Sequence, residues 1–332
     1  MNGSILTKGD ITNYHVSDDQ YWSLFNRVFS TASKKTNTYK FGFLKSILDN
    51  LFNSVEQDIG SFITYSNLFR KFTENYWNLV ARYKIKQSTY NGKSEYSKLE
   101  SIIIEEIKAN PSLETIPFES AEPTTINRII NSVSTQCRKY VVGALYGDFD
   151  GCVYSFDLKG PGITLAPKAY EFLLKYKATI EKLNYFAWAK FLEGINPPEK
   201  TMNLLDTLEL ATPKRNDLTP YKDFLYNEHH DTRCFYCGKP LSRSMHADHF
   251  IPWNFVKDDK LWNMVLACPH CNCSKNDKLP KRELIYKVEQ RNKEIILLDN
   301  PLVKHDMYSY TDNILDKMWT YADMSGYKRY SS

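Results

Sequence analysis

The sequence predicts an α+β fold that is mostly α-helical, and three observations support this class. Apolar residues recur at helical spacing through much of the first half of the chain. The apolar runs on either side of Gly147–Gly151 are typical of a β-hairpin. Farther along, residues 234–280 hold two Cys-x-x-Cys pairs, which indicates a small domain that is closed by a metal ion.

Length and composition indicate a folded protein outside the membrane. At 332 residues, the chain is long enough for about two domains. Apolar residues make up 42% and aromatic residues 14% of the chain, which excludes a disordered protein. The net charge of +4 is too small to indicate nucleic-acid binding by itself. The sequence has neither an apolar run near about 18 residues nor a signal-peptide core, so we expect a cytoplasmic protein without membrane contact.

Three apolar stripes in the N-terminal region predict helices. Ser17 is suited to cap the first helix, because its side-chain oxygen can accept a backbone hydrogen bond. The two aspartates that follow it favour the positive end of the helix. The second helix is predicted to begin at Asn37 or Thr38, and the third to span Tyr65–Tyr83. We therefore expect residues 1–120 to form a helical region in which these stripes are core.

Basic residues surround these helices and have two interpretations. They form either ordinary solvated surface or, with neighbouring tyrosines, a face that follows a nucleic-acid backbone. For any single member, the solvated surface is favoured. The residues concerned are Lys34, Lys35, Lys40, Arg70, Lys71, Arg82, Lys84 and Lys86, with Tyr39, Tyr76 and Tyr83 among them.

The middle of the chain, residues 121–225, is predicted to contain a hairpin and helices. A first helix is expected to end near Cys137. Tyr140–Tyr146 and Cys152–Leu158 would then be the two strands, because both are rich in Val, Tyr and Phe and a glycine-containing turn separates them. Pro167 is suited to the first turn of the helix that follows.

The two cysteine pairs predict one structural zinc site. Cys234 with Cys237, and Cys268 with Cys271, each have the spacing of a tight turn that presents two thiolates to one ion. Cys273 is an alternative to Cys271, but the Cys-x-x-Cys spacing favours Cys271. The four sulfurs are therefore predicted to close the segment between the pairs into a loop.

Inside this loop, the order of polar residues resembles that of the HNH nucleases, also called the His-metal finger or ββα-metal family. The chain has Asp248 and His249, with a proline three residues later, then Asn263, and finally Asn272 followed by Lys275. The HNH domains of RNA-guided CRISPR nucleases have the same kind of Asp-His start, central Asn and final Asn followed by Lys. So many matches in one order are specific, whereas a lone Asp-His pair is not.

The resemblance implies an HNH nuclease domain at residues 226–300. Residues 301–332 are predicted to form a C-terminal helical tail, because residues 311–324 look helical. In the family, the Asp-His dipeptide ends one strand of a hairpin, and the last Asn opens the helix that packs across it. We therefore expect a zinc-stapled ββα-metal HNH module after the N-terminal helical and mixed regions.

Site roles follow from residue chemistry together with the resemblance. Imidazole titrates near neutral pH, so His249 is the candidate general base. Asp248 and Asn272 offer the oxygen atoms that Mg²⁺ and Mn²⁺ prefer. In the HNH family, the matching residues hold the divalent ion, and the residue that matches Asn263 orients the loop of the histidine.

Two further residues keep two interpretations each. Lys275, which we include with the catalytic set, either contacts phosphate or stabilises the start of the helix. His246 precedes Asp248 by two residues, so both would lie on the same side of a strand. His246 either contacts metal or DNA, or it is a packed histidine.

The region before the HNH module is similar to the one that precedes such modules in bacterial restriction and defence proteins. The similarity runs from NTYKFGFLKSIL at residues 37–48, through the predicted hairpin, to WAKFLEGIN at residues 188–196. It implies a role in genome or phage defence.

The sequence thus predicts an HNH endonuclease that uses Zn²⁺ for structure and Mg²⁺ or Mn²⁺ for DNA hydrolysis, leaving 5′-phosphate and 3′-hydroxyl ends. One alternative is a nuclease effector subunit that waits for a partner ATPase or sensor protein; the chain itself has no P-loop. Another is a non-catalytic, zinc-stapled DNA-binding module. The complete set of Asp248, His249 and Asn272 favours the enzyme. With one site per chain, cutting both strands requires a homodimer or two successive nicks.

Overall fold

A computed structural model of the chain describes residues 6–89, 94–210 and 217–331. The chain divides into two compact units, Met1–Pro213 and Lys214–Ser332. Helices account for 58% of the residues and the sheets are small, so the predicted fold class is confirmed. The finer division of the sequence into four regions stays a prediction.

Helices make up most of the first unit. Ser17 caps α1: its side chain accepts a hydrogen bond from the Gln20 N–H at 3.3 Å, and the Gln20 side chain accepts one from the Ser17 N–H at 2.8 Å. This capping box gives partners to N–H groups that a helix leaves unpaired. Pro167 begins α6 as predicted. The helices are α1 (Asp18–Phe29), α2 (Tyr39–Asp49), α3 (Tyr65–Ala81), α4 (Lys98–Ala109), α5 (Pro123–Asp148), α6 (Pro167–Glu193), α7 (Pro198–Thr201) and α8 (Leu204–Leu210).

The first unit also contains an antiparallel sheet with the strand order β1-β4-β5-β3-β2. Its strands are β1 (Lys8–Gly9), β2 (Val55–Gln57), β3 (Gly60–Thr64), β4 (Tyr154–Asp157) and β5 (Gly162–Leu165). Gly162 lies opposite Thr64, where a Cβ atom would collide with the carbonyl oxygen of Ile63. Glycine at this position therefore allows β3 and β5 to pair closely.

The structure corrects two predictions in this unit. The expected strand Tyr140–Tyr146 is helical, because α5 continues through Asp148. Its buried residues Val141, Val142 and Leu145 have a spacing that suits one helix face, and a short apolar run does not distinguish helix from strand. The second expected strand contains β4, which pairs with β5 instead. The N-terminal region is also not all-helical, since β2 and β3 lie between α2 and α3.

A buried charge cluster joins α2, α3 and α6. The Lys45 ammonium pairs with Asp49 and lies 3.1 Å from the Glu181 carboxylate. Asn75 of α3 donates to the second oxygen of Asp49 at 3.2 Å. Burial acts to lower the pKa of Lys45, but the Asp49 carboxylate and its other neighbours outweigh burial and raise this pKa well above the ordinary value. Lys45 therefore stays charged inside the core.

We expect Lys45→Ala to lower the free energy of unfolding by about 3–5 kcal/mol, because Asp49 and Glu181 would lose the cation between them. Urea-induced unfolding measures this change. The control is Lys182→Ala on the exposed side of α6, which should stay within about 0.5 kcal/mol of wild type. A loss below about 1 kcal/mol for Lys45→Ala would mean that the cluster is not a major source of stability.

The second unit contains a two-stranded sheet and short helices. Its elements are α9 (Thr219–Asp223), β6 (His246–His249), α10 (Trp253–Val256), β7 (Met264–Ala267), α11 (Pro269–Lys275), α12 (Ile285–Ile295), α13 (Pro301–Asp306) and α14 (Ile314–Met324). Residues 301–332, where the sequence predicts a helical tail, contain α13 and α14. Among the described residues of both units, no helix has the length and apolarity needed to cross a membrane.

Candidate functional site

The site is built on β6, β7 and α11, which follow one another in the order strand, strand, helix. The strands pair antiparallel, with Asp248 opposite Val265 and His249 opposite Met264. The Asp-His dipeptide therefore ends β6, as the resemblance implied. Both of its side chains lie against the rest of the domain, since Asp248 is 7% exposed and His249 is 3% exposed.

Asn263 fixes the chain just after the histidine. Its side-chain oxygen accepts a hydrogen bond from the Ile251 N–H at 2.8 Å, and its amide group donates to the Ile251 carbonyl at 3.0 Å. The Asn263 carbonyl also accepts from the Phe250 N–H at 2.7 Å. The side chain is fully buried, so these bonds form away from water. Asn263 thereby restrains the loop that leaves His249.

His249 contacts a second acid. Its Nε2 atom lies 2.7 Å from Oδ1 of Asp259, and both side chains are almost completely buried. A carboxylate on Nε2 selects the tautomer in which that nitrogen carries the proton and Nδ1 has the free lone pair. The pair can therefore orient His249 as a base.

The Asp248 carboxylate is held by two neighbours. Tyr236 donates its hydroxyl proton to Oδ2 at 2.6 Å, and the Lys275 ammonium lies 3.2 Å from the same oxygen. Burial, followed by the Asp248 charge, raises the pKa of Tyr236 well above its ordinary value, so the phenol stays protonated. Lys275 lies 3.5 Å from Oδ1, and it donates to the His249 carbonyl at 2.7 Å. Oδ1 thus has the weaker contact and remains the better ligand for a cation.

One face of α11 meets β6 at two points. Asn272 donates from its amide to Nδ1 of His246 at 2.8 Å, while Lys275, three residues later, contacts Asp248. Side chains two residues apart on a strand lie on the same side, so His246 and Asp248 share one side of β6. The side-chain oxygen of Asn272 and the Oδ1 atom of Asp248 are hard donors of the type that Mg²⁺ and Mn²⁺ prefer. The donor chemistry of these two residues therefore suits a divalent cation.

The four predicted cysteines come together. The Sγ atoms of Cys234, Cys237, Cys268 and Cys271 all lie within 4.8 Å of one another, and those of Cys237 and Cys268 are 3.9 Å apart. Tetrahedral zinc with bonds of about 2.3 Å separates its sulfurs by about 3.8 Å, so the cluster matches this geometry. Cys273 is exposed and is not part of the cluster.

The thiols of this cluster differ in their environments. Burial raises the pKa of Cys234, but hydrogen bonds from backbone N–H groups, led by that of Cys268 at 3.3 Å, outweigh it and lower the pKa to about 7. Burial and the neighbouring sulfurs raise the pKa of Cys271 to about 12. A divalent cation would relieve the repulsion between such closely packed thiolates.

The structure revises the two open residues and adds two more. Lys275 is fully buried at the end of α11, so it lies neither on the surface nor at the helix start. His246 is exposed, which argues against a packed histidine. Sequence reasoning missed Tyr236 and Asp259, because their contacts join parts of the chain whose spacing forms no local pattern. The only signals were a tyrosine inside the first cysteine pair and an acidic residue in the loop after His249.

Three comparisons with known proteins bear on this site. The family model described as HNH endonuclease matches residues 234–278, which confirms the resemblance for this domain. The comparison with curated proteins gives no match. Among solved structures, Cas9 of Streptococcus thermophilus in complex with the GGAA PAM aligns at 13% identity with a TM-score of 0.21. That alignment covers 95% of this chain but 38% of the Cas9 chain, so this protein spans well under two thirds of its length.

Proposed function

Residues 234–278 form an HNH endonuclease domain, and from this premise we propose that the protein is a metal-dependent endonuclease that hydrolyses DNA. The HNH domain indicates that the protein is a nuclease, that is, a hydrolase that acts on nucleic acid. The observation that carries the finer proposal is the set of contacts around β6. An oriented histidine, His249, follows directly on a carboxylate, Asp248, whose strand is joined to Asn272 through His246.

His249 acts as the general base in this proposal. Asp259 holds the proton on Nε2 at 2.7 Å, so Nδ1 accepts a proton from water as the water oxygen attacks phosphorus. The new P–O bond forms while the bond from phosphorus to O3′ breaks. Protonation of the O3′ oxyanion by solvent leaves a 3′-hydroxyl end and a 5′-phosphate end.

Asp248 and Asn272 are the residues that would hold Mg²⁺ or Mn²⁺. When bound, such an ion stabilises negative charge on the phosphoryl and leaving oxygens. Tyr236 and Lys275 act on Asp248 rather than on the substrate: their contacts at 2.6 and 3.2 Å fix the carboxylate. Asn263 has the same kind of positioning role for the loop after His249.

We assign structural zinc to the four-cysteine cluster of Cys234, Cys237, Cys268 and Cys271. Tyr236 lies inside the first pair and donates to Asp248, so the cysteine loop and the catalytic carboxylate are directly connected. A cation at the cysteines would therefore stabilise the domain and also keep Tyr236 in place. Removal of zinc should unfold the domain, whereas removal of the catalytic ion should only stop hydrolysis.

For the biological role, we propose restriction or anti-phage defence in the cytoplasm, on the similarity of residues 37–48 and 188–196 to the regions that precede other HNH modules. The partner-gated subunit stays the second candidate, because an HNH domain alone supplies no target selection. A homodimer is the simplest route to double-strand cleavage. The non-catalytic module is disfavoured by the retention of His249 with its acidic partner.

Labelled DNA duplex, single-stranded DNA and RNA of one sequence test this function directly. The purified protein should cleave DNA with Mg²⁺ or Mn²⁺ and be inactive in EDTA. Ligation of the products, and its loss after phosphatase treatment, identifies 5′-phosphate ends. Cleavage that persists in EDTA, or that is confined to RNA, would contradict the proposal.

Asp259→Asn is expected to lower kcat by about 10- to 100-fold with little change in KM, as for other partners that orient a functional histidine. The reason is that an amide at this position no longer selects the Nε2–H tautomer. Asp259→Glu, which restores a carboxylate, should recover part of the activity. The matched control is Asp258→Asn, the preceding residue, whose Oδ1 accepts from the Asp259 N–H at 3.0 Å. An asparagine oxygen can keep this bond, so the control should keep wild-type kcat.

If Asp259→Asn and Asp259→Glu lose activity and thermal stability equally, Asp259 is a structural residue only. Steady-state cleavage of a short duplex gives the KM and kcat values, and thermal unfolding of the same preparations gives the stability. If Asp259 positions His249, kcat should fall in Asp259→Asn without an equal loss of thermal stability, and Asp259→Glu should recover part of it.

A further inference from the structure

A basic cavity lies in the first unit, away from the HNH segment in sequence. It has a volume of about 790 Å³ and is lined by the turn before α2, by Ser88 and Thr89, by residues within 94–101 and by one face of α5. Cavities of roughly 300–1,000 Å³ are typical of sites for small molecules. The basic residues Lys34, Lys35 and Lys40, noted in the sequence, all line it. Part of the predicted basic face is therefore a cavity rather than a flat solvated surface.

The charge of this cavity is strongly positive. Lys98 joins the three lysines near α2, and the lining contains no aspartate or glutamate among the residues that the structure describes. Behind the lining, Asp148 pairs with Lys40 at 2.8 Å. Elsewhere in the described chain, no carboxylate lies within ion-pair distance of Lys34, Lys35 or Lys98. Among the described residues, Asp148 is thus the carboxylate that pairs with one of these four lysines, which leaves an excess of positive charge for an anion.

Lys35 shows the effect of this crowding. Its ammonium donates to the carbonyl oxygens of Ser30 at 2.8 Å and Ser33 at 3.0 Å, and not to a carboxylate. Burial, followed by repulsion from Lys40, lowers the pKa of Lys35 to about 8. An anion in the cavity would raise the pKa of Lys35 and favour its charged form.

Aromatic rings complete the cavity. Tyr96 and Tyr140 line it, and each is 46% exposed. Exposed rings of this kind provide faces on which a nucleobase stacks. Hydroxyl groups, such as that of Ser101, add hydrogen-bonding partners for a sugar. Lysines beside accessible tyrosines form a combination that suits a phosphate group attached to a planar base.

We propose that this cavity binds a nucleoside phosphate, with the lysines holding the phosphate groups and Tyr96 and Tyr140 contacting the base. A cavity of about 790 Å³ suits a single nucleotide better than an extended nucleic-acid strand, which requires a groove that tracks several phosphates. The chain has no P-loop, so the assignment is to binding and not to hydrolysis. The proposal does not depend on the nuclease assignment.

Calorimetric titration of the full-length protein tests the site, with no divalent ion added so that the HNH site does not contribute. The probes are ATP, GTP, CTP and UTP, inorganic triphosphate, and single-stranded DNA of about 12 nucleotides, a length that an extended groove would hold. At least one nucleotide should bind with a Kd below about 1 mM. The double variant Lys34→Ala/Lys98→Ala should weaken this binding at least tenfold. The control Lys108→Ala, an exposed lysine at the other end of α4, should leave it unchanged.

Tyr140→Ala separates a nucleotide from other anions. It should weaken nucleotide binding severalfold while leaving the affinity for inorganic triphosphate unchanged. Equal binding of nucleotide and inorganic triphosphate, both insensitive to Tyr140→Ala, would overturn the nucleoside part of the proposal. The proposal also fails if no nucleotide binds, or if the DNA strand binds more tightly and depends on the same lysines.

Discussion

Replacing His249 with alanine should lower the rate of DNA cleavage by about 10²- to 10⁴-fold, the usual contribution of a general base. The imidazole is the only group in the account that takes the proton from the attacking water. Its Nε2 is committed to Asp259 at 2.7 Å, so the loss of the ring removes both the base and its orientation. First-order cleavage of a labelled duplex under single-turnover conditions measures the change.

Two further variants separate this chemical effect from a loss of structure. His249→Asn fills more of the buried space than alanine does and should be as inactive as His249→Ala. His15→Ala removes an exposed histidine from the first unit and should cleave at the wild-type rate. Both His249 variants should retain the zinc content of the wild type, because the cysteine cluster is untouched. A folded His249 variant that cleaves normally would remove this residue from the mechanism.

Cys268→Ser should have the largest effect on stability in the second unit. Zinc binding contributes roughly 10–16 kcal/mol in small zinc domains, so the loss of one of four thiolates should remove at least about 3 kcal/mol. For a unit of this size, that corresponds to a fall in melting temperature of about 10 °C or more. Zinc stoichiometry, measured by elemental analysis, should fall below that of the wild type.

Cys273→Ser is the matched control, because this cysteine is exposed and lies outside the sulfur cluster. It should retain wild-type zinc content and melting temperature. Cys268→Ser should also cleave more slowly, since a disordered cysteine loop no longer holds Tyr236 against Asp248. Unchanged zinc content and stability in Cys268→Ser would exclude the zinc site.

Local signals in the sequence were sufficient for several helices. Ser17 and Gln20, with two aspartates between them, form a capping box within four residues, and α1 begins there. Pro167 likewise marks the first turn of α6. By contrast, β3 pairs with β5, about 100 residues later in the chain, and β2 pairs with β3. A short strand whose partner is so distant gives no clear local periodicity.

The candidate site also contains residues that the sequence reveals and residues that only the structure reveals. The order of Asp248, His249, Asn263 and Asn272 is visible in the sequence, because the HNH resemblance depends on order and spacing. The roles of Tyr236 and Asp259 depend on hydrogen bonds across the fold, at 2.6 and 2.7 Å, which spacing alone does not reveal. The sequence also singles out Lys275, but its complete burial is visible only in the structure. The order of these residues predicts the candidate reacting groups, and the structure is needed to find the side chains that contact them.

Cleavage of supercoiled plasmid by wild type and His249→Ala, side by side with Mn²⁺, Mg²⁺ and EDTA, tests the central claim most directly. Wild type should convert the plasmid to nicked and then linear DNA only with a divalent ion, and His249→Ala should not. DNA binding without cleavage by either protein, under all of these conditions, would contradict a self-sufficient nuclease and favour the partner-gated subunit or the non-catalytic module.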